Sequence, residues 1–128
     1  MTGGFDRRKS LQELEEYDCG ELIYNSYLVM TIHRLRRKAL AEFTVEDLRI
    51  MIGQGIGLSL LVPLAVECLE KDPLAAGDYY PGDLLHVMLQ AGDAFWAQHP
   101  DSFQRFRKAV GQIKALLPTL DETNRRNV

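Results

Sequence analysis

The chain has 128 residues, of which 46% are hydrophobic and 26% are charged, so collagen-like, low-complexity and strongly disordered proteins are excluded. Its 15 basic and 18 acidic residues give a net charge of −3, which argues against a nucleic acid backbone as the partner. A polar N-terminus without an apolar signal segment, only two cysteines and no apolar run of about 20 residues predict a cytoplasmic protein without a membrane span.

Apolar residues recur at helical spacing from the beginning of the chain, and no window alternates as a β-strand does. Ser10 and Glu13 have the spacing of a capping box, which predicts a first helix that ends near Tyr17. The second helix is predicted to begin soon after Glu21 and to end near Arg37, where basic residues are favoured by the helix dipole.

The middle of the chain predicts two helices that meet at a glycine-rich corner. Thr44 is the N-cap of the first, because acidic residues and a helical apolar stripe follow it. Three glycines at residues 53–57 should end this helix and let its neighbour pack closely. The next helix is predicted over residues 58–71, before Asp72 and a proline close it. Pro63 is tolerable near the first turn of this helix and would bend the helix if it lies deeper.

The last third of the chain predicts a loop followed by two or three more helices. Residues 74–82 are rich in glycine and proline, which is typical of turns. Asp83 is predicted to cap the next helix, Gly92 to break it, and Asp101 or Ser102 to cap the last one.

These elements predict an all-α fold of about five to seven helices. No internal repeat and no long linker divides the chain, so residues 1–128 are predicted to form a single compact domain. Residues 1–9 and 119–128 are predicted to be frayed termini because both are polar.

Residues that could carry catalysis or hold a cofactor are sparse. Glycines at residues 53–57 lack the spacing of a dinucleotide-binding loop, and the three histidines lack metal-ligand spacing. Asp83 and His86 are three residues apart and could form an acid–base pair, although a helix cap beside a half-buried histidine is the more common arrangement. We therefore expect no cofactor, no metal and no enzymatic activity.

Two acidic segments are candidates for a protein-binding surface, because charges steer encounters and aromatic residues anchor them. One is the acidic run from Glu13 to Glu21, which no basic residue interrupts. The other lies within residues 67–101, which contain seven acidic residues, only one basic residue and two adjacent tyrosines. A solvated helix face, and tyrosines that fill the core beneath the loop, remain alternatives. The candidate residues are Glu13, Glu15, Glu16, Asp18, Glu21, Asp72, Asp78, Tyr79, Tyr80 and Asp83.

An ordered series of short segments resembles a known family: TVEDLR at 44–49, IGQ at 52–54, IGL at 56–58, LVPLA at 61–65, DPL at 72–74, GDYYPGDLL at 77–85 and FW at 95–96. The chain resembles the immunity proteins of bacterial contact-dependent growth inhibition systems over residues 35–96. This resemblance implies a cytoplasmic, non-enzymatic protein that binds the cognate C-terminal toxin domain of a secreted effector, often a nuclease such as a ribonuclease. The candidate acidic residues and tyrosines would then occlude the toxin active site, with one monomer bound to one toxin.

Other interpretations remain open beside this resemblance. The chain could be a small enzyme that uses Asp83 and His86, or a helical adaptor or regulator that binds another protein or places the basic residues of 34–38 on nucleic acid. Arg49, Gln54 and Asp83 could also be buried hydrogen-bonding residues that stabilise helix corners rather than contact a partner.

Overall fold

The computed structural model describes residues 5–16 and 26–114, which form seven helices around an apolar core. The helices are α1 (Leu11–Leu14), α2 (Tyr27–Arg36), α3 (Val45–Gly53), α4 (Leu58–Lys71), α5 (Asp83–Leu89), α6 (Asp93–Gln98) and α7 (Pro100–Lys114), with a 3-10 helix at Leu40–Glu42. The described residues include no strand, and a single β-bridge joins Ser10 to Ala39. The prediction of an all-α fold is confirmed.

Side-chain caps explain where the first three α-helices begin. Ser10 and Thr44 each form a complete capping box, as their sequences predict. The predicted start of α2 soon after Glu21 is wrong, because the Ser26 hydroxyl accepts a hydrogen bond from the backbone N–H of Val29 and so begins this helix at Tyr27. The helix α1 is a single turn, shorter than predicted.

Two other predicted caps are wrong. Gly82, with a φ of 89°, occupies the N-cap of α5, and Asp83 is already the first helical residue. The helix α7 begins at Pro100, ahead of Asp101 and Ser102. Proline suits the first position of a helix, since its φ is already helical and its missing N–H has no partner to lose there.

The glycines of the corner end α3 at Gly53, as predicted, but the close approach that they allow comes from α1 and not from a contact between α3 and α4. Gly57 has a φ of 65°, and a Cβ at this position would lie 2.9 Å from Cδ1 of the buried Leu11. Glycine therefore provides both the left-handed backbone and the close approach of α1 to the start of α4.

The core is centred on α4, which packs against α3, α5 and α7. Residues from most sides of α4 are buried, among them Leu61, Val62 and Leu69, each of which contributes roughly 1.5–3 kcal/mol by leaving water. The helix α6 closes one end of the core, because the Trp96 ring stacks on Phe106 of α7 with centroids 4.9 Å apart. On another side, α2 and α5 both pack against α3.

The segment before α1 is joined to the rest of the fold, although it lies within the predicted frayed N-terminus. The backbone N–H of Leu40 bonds to the Lys9 carbonyl, and that of Ala41 bonds to the Arg7 carbonyl. The predicted frayed tail at 119–128 lies outside the described residues. Within the described segments, every helix is too short or too polar to cross a bilayer.

Candidate functional site

A buried carboxylate holds the loop between α4 and α5 in shape. Asp83 is 2% exposed, and its Oδ1 accepts a hydrogen bond from the Gly77 N–H at 2.7 Å. Its Oδ2 accepts from the N–H groups of Tyr79 at 3.1 Å and Tyr80 at 3.5 Å. Asp83 therefore lies beneath the loop, as the alternative of a buried hydrogen-bonding residue expects, and its place on the contact surface stays a prediction.

A second support for the loop comes from α3. The Arg49 Nε donates to Glu46 Oε1 at 2.6 Å and lies 3.8 Å from Asp83 Oδ2, while the guanidinium sits 4.2 Å from the Tyr79 ring centroid. Glu46 in turn accepts a hydrogen bond from the Asp78 N–H at 2.9 Å. One arginine–glutamate pair thus connects α3 to both backbone and side chains of the loop.

The loop also requires glycine at one position. A Cβ on Gly77 would overlap Glu46 Oε1 and would lie 3.1 Å from Asp83 Oδ2. Because both carboxylates are held by other hydrogen bonds, neither can move away without loss of a contact. Gly77 therefore allows the loop backbone to lie directly against the two carboxylates.

The electrostatics of this cluster keep both carboxylates ionised. The hydrogen bond from Arg49 lowers the pKa of Glu46, against the opposing effect of burial. Burial acts to raise the pKa of Asp83, but the three backbone N–H donors and the Arg49 charge outweigh it and hold this pKa below its ordinary value. Two carboxylates, Glu46 and Asp83, thus lie within ion-pair distance of the single Arg49 guanidinium.

A cleft of about 420 Å³ lies between this loop, α2 and α3. Tyr27 and Leu28 of α2 line one side, and Asp78 and Tyr79 of the loop line the other. Tyr27 is 81% exposed and Tyr79 is 72% exposed, so aromatic rings stand on both sides of the opening. We name this feature the Tyr27–Tyr79 cleft.

The loop tyrosines are on the surface, as the candidate contact site requires. Tyr80 is also exposed, so neither Tyr79 nor Tyr80 fills the core, and that alternative is wrong. Sequence reasoning named neither Tyr27 nor Leu28 as part of a contact site, and Leu28 is 41% exposed. No local pattern pairs α2 with the loop, because the two segments are brought together only by packing on α3.

The other predicted patch lies on and after α1, with members Glu13, Glu15, Glu16, Asp18 and Glu21, of which the last two fall outside the described residues. Glu13 completes the cap of α1, and Glu15 pairs with Arg36 at the C-terminal end of α2. The Tyr27–Tyr79 cleft lies at the N-terminal end of the same helix. A rise of 1.5 Å per residue separates these two ends by about 14 Å, so the described part of this patch, Glu13, Glu15 and Glu16, is a surface distinct from the cleft.

Tertiary pairing reduces the acidic excess that the sequence shows after residue 66. Glu67 forms an ion pair with Arg7, and Glu70 forms one with Arg105, whose Nε lies 2.9 Å from Glu70 Oε2. Both arginines are distant in the chain and therefore absent from a local count of charge. Besides these paired residues, the exposed acidic side chains within residues 67–101 are Asp72, Asp78, Asp93 and Asp101.

The proposed acid–base pair is not assembled. The Asp83 carboxylate is turned to the loop backbone, while the His86 ring contacts the Gln90 amide at 3.2 Å and meets the Tyr80 ring edge-on. The Asp83 carboxylate is therefore engaged by backbone N–H donors and not by His86. Among the described residues, no three His, Cys, Asp or Glu side chains are grouped to hold a metal ion.

The basic residues near the end of α2 are mostly engaged with other elements. Lys38 Nζ lies 2.7 Å from Asp47 Oδ2, and Arg37 Nε donates to Gln12 Oε1 at 3.4 Å. Since Arg36 pairs with Glu15, this stretch ties α2 to α1 and α3. These contacts reduce the positive surface on which the nucleic-acid interpretation depended.

The chain matches a known protein family. The family model of CDI immunity proteins, where CDI denotes contact-dependent growth inhibition, matches residues 7–106. This span begins before α1 and ends inside α7, and it is wider than the resemblance seen in the sequence. No curated protein and no solved structure matches the chain at a significant level.

Proposed function

The chain belongs to the CDI immunity proteins, and from this we propose that it binds and neutralises the cognate C-terminal toxin domain of a contact-dependent growth inhibition effector. The observation that carries the proposal is the extent of the family match. Residues 7–106 include helices α1 to α6, the first half of α7 and every surface described above. The match therefore concerns the folded body and is not limited to one short motif.

We propose that the toxin is a nuclease, such as a ribonuclease, and that the chain occludes its active site as one monomer bound to one toxin. A nuclease must bind phosphates, so its active cleft is rich in positive charge. An acidic surface with exposed tyrosines is complementary to such a cleft, because carboxylates accelerate encounter and aromatic rings anchor the complex. Exposed Asp78, Tyr79 and Tyr80 provide these features on one supported loop.

We further propose that the chain acts by binding alone, in the cytoplasm of the cell that produces the toxin. The engagement of Asp83 with backbone and of His86 with Gln90 supports a binding role over catalysis. A complex that blocks an active site requires roughly 800 Å² of contact on each partner. This area extends well beyond a single loop, so the surface around the loop would also take part.

The experiment is co-purification with the toxin domain encoded next to this chain. One partner carries an affinity tag, and the toxin is assayed for cleavage of RNA and DNA as the immunity chain is titrated into it. The proposal expects a stable complex and a linear fall in activity that reaches zero at one chain per toxin. An absence of binding, together with no protection of cells that express the toxin, would overturn it.

A further inference from the structure

We infer that the Tyr27–Tyr79 cleft is the anchor point of the complex and receives a cationic side chain, an arginine or a lysine, from the toxin. This inference rests on the proposed function and adds to it which face binds and what chemistry the face recognises. The surface that Glu15 and Glu16 form beside the C-terminal end of α2 is then secondary.

Exposure is the first argument. Tyr27, Leu28 and Tyr79 are all large, and each leaves a substantial part of its side chain in water around one concave opening. Exposed aromatic and aliphatic side chains that converge on a cleft contribute little to folding. They are typical of interface anchors, where their burial is deferred until the partner arrives.

Charge is the second argument and selects the occupant. Glu46 and Asp78 line the cleft, with Asp83 behind them, and Arg49 is the one cationic group described in the lining. Arg49 is already held by Glu46, so the cleft keeps an excess of negative charge. Arg49 already covers one face of the Tyr79 ring, but the ring of Tyr27 is 81% exposed, and an aromatic face attracts an arginine or lysine more than an acidic or neutral side chain.

Rigidity is the third argument. The loop that carries Asp78 and Tyr79 is tied down by the buried Asp83 and by Arg49 from α3. A surface that is already ordered loses little conformational entropy when a partner binds, so the contact energy is retained as affinity. The cleft volume of about 420 Å³ has room for an inserted side chain.

The test compares four variants for affinity to the purified toxin domain by isothermal titration calorimetry at low and high salt. Asp78→Lys reverses charge in the cleft, and Tyr27→Ala removes one wall. Asp93→Lys on α6 is the matched charge control, and Glu16→Lys tests the rival patch beside α1. Circular dichroism checks that each variant keeps the helical fold.

We expect Asp78→Lys to raise the Kd at least about 30-fold and Tyr27→Ala about tenfold, as is usual for interface anchors. Asp93→Lys and Glu16→Lys should each change the Kd by less than about threefold, because exposed charges outside a contact contribute little. The wild-type Kd should rise with salt, and this dependence should weaken in Asp78→Lys. A toxin variant with one Arg or Lys changed to Glu should restore binding to Asp78→Lys and so identify the inserted side chain.

Three outcomes would overturn the inference, and they separate it from the proposed function. If Asp78→Lys and Tyr27→Ala bind like wild type, the cleft is not the anchor although neutralisation stands. If Glu16→Lys is the variant that loses affinity, the surface beside α1 is the anchor instead. If the chain alone forms a dimer that Tyr27→Ala dissolves, the occupant is a second copy. Failure of the wild-type chain to bind the toxin would reject the proposed function itself.

Discussion

Asp83→Asn replaces the loop carboxylate by an isosteric amide and should lower the free energy of unfolding, because it weakens the contacts that hold the loop. In Asp83→Asn one oxygen remains to accept from Gly77, but the new NH₂ group faces the N–H groups of Tyr79 and Tyr80. A flipped amide would instead face the Gly77 N–H, so one side of the contact is lost in either orientation. The attraction to Arg49, 3.8 Å away, is lost as well.

The expected loss follows from the number and type of these hydrogen bonds. Bonds to charged acceptors contribute about 1.5–3 kcal/mol each, but the longer contact to Tyr80 and the partial access of water to the loop reduce the sum. We expect the free energy of unfolding of Asp83→Asn to fall by about 2–3 kcal/mol at pH 7, out of a total of about 5–15 kcal/mol.

The loss should also depend on pH, with a definite sign. The pKa of Asp83 is lower in the folded protein than in the unfolded chain, so the ionised carboxylate stabilises the fold above its unfolded pKa of about 3.9. This stabilisation disappears as the pH falls through the lower pKa of the folded state. The difference in stability between wild type and Asp83→Asn should therefore narrow as the pH is reduced from about 5 towards 2.5.

Urea unfolding at a series of pH values measures both effects. The single tryptophan, Trp96, is 7% exposed and reports loss of the core by its fluorescence. The matched control is Asp78→Asn, which makes the same chemical change on the exposed part of the same loop and should remain within about 0.5 kcal/mol of wild type. The reasoning is refuted if Asp83→Asn is as stable as this control at pH 7, or if its deficit does not shrink in acid.

Other substitutions test the supports of the fold, each by urea unfolding at neutral pH. Gly57→Ala should lower the free energy of unfolding by about 2–3 kcal/mol, because it combines a left-handed backbone with a clash against Leu11. Gly55→Ala is the control, since Gly55 has a φ of 72° and open space around it, and it should cost only about 1 kcal/mol. Equal losses in the two variants would show that the contact with Leu11 adds nothing. Thr44→Ala removes the hydroxyl that caps α3 and should cost about 1 kcal/mol, and an unchanged midpoint would show that the cap contributes nothing. Glu70→Gln breaks an exposed ion pair to α7 and should cost less than about 1 kcal/mol, with a larger loss indicating a role beyond the pair.

Local sequence rules located much of the fold because they depend on neighbours in the chain. The capping boxes at Ser10 and Thr44 involve residues only three positions apart, and the left-handed backbone at Gly57 favours glycine because a Cβ is strained there. The predicted N-cap of α5 was wrong, because two neighbouring residues both suit the end of a turn. Asp83 satisfies the composition of an N-cap, but its carboxylate bonds to loop N–H groups that precede it, and Gly82 takes the cap position.

The candidate site could be predicted only in part, because sequence patterns report on neighbours in the chain and the site combines distant segments. The turn-forming composition around Tyr79 and Tyr80 predicted a loop but left open whether the two rings fill the core, and the structure places both rings on the surface. The opposite wall of the cleft was missed, because Tyr27 and Leu28 have the pattern of an ordinary amphipathic helix start. Their exposure depends on how α2 lies against α3, which no spacing within α2 encodes.

Composition, periodicity and caps were sufficient for the all-α class, most helix boundaries and the acidic loop, since each follows from interactions within a few residues. The distribution of charge followed from packing instead. Arg7 and Glu67 are 60 positions apart, and Arg105 and Glu70 are 35 apart, yet each pair is in contact. Packing therefore neutralises the negative charge of Glu67 and Glu70 and leaves that of Asp78 on the surface. The physical reason is that Coulomb energy depends on distance through space and not on separation along the chain.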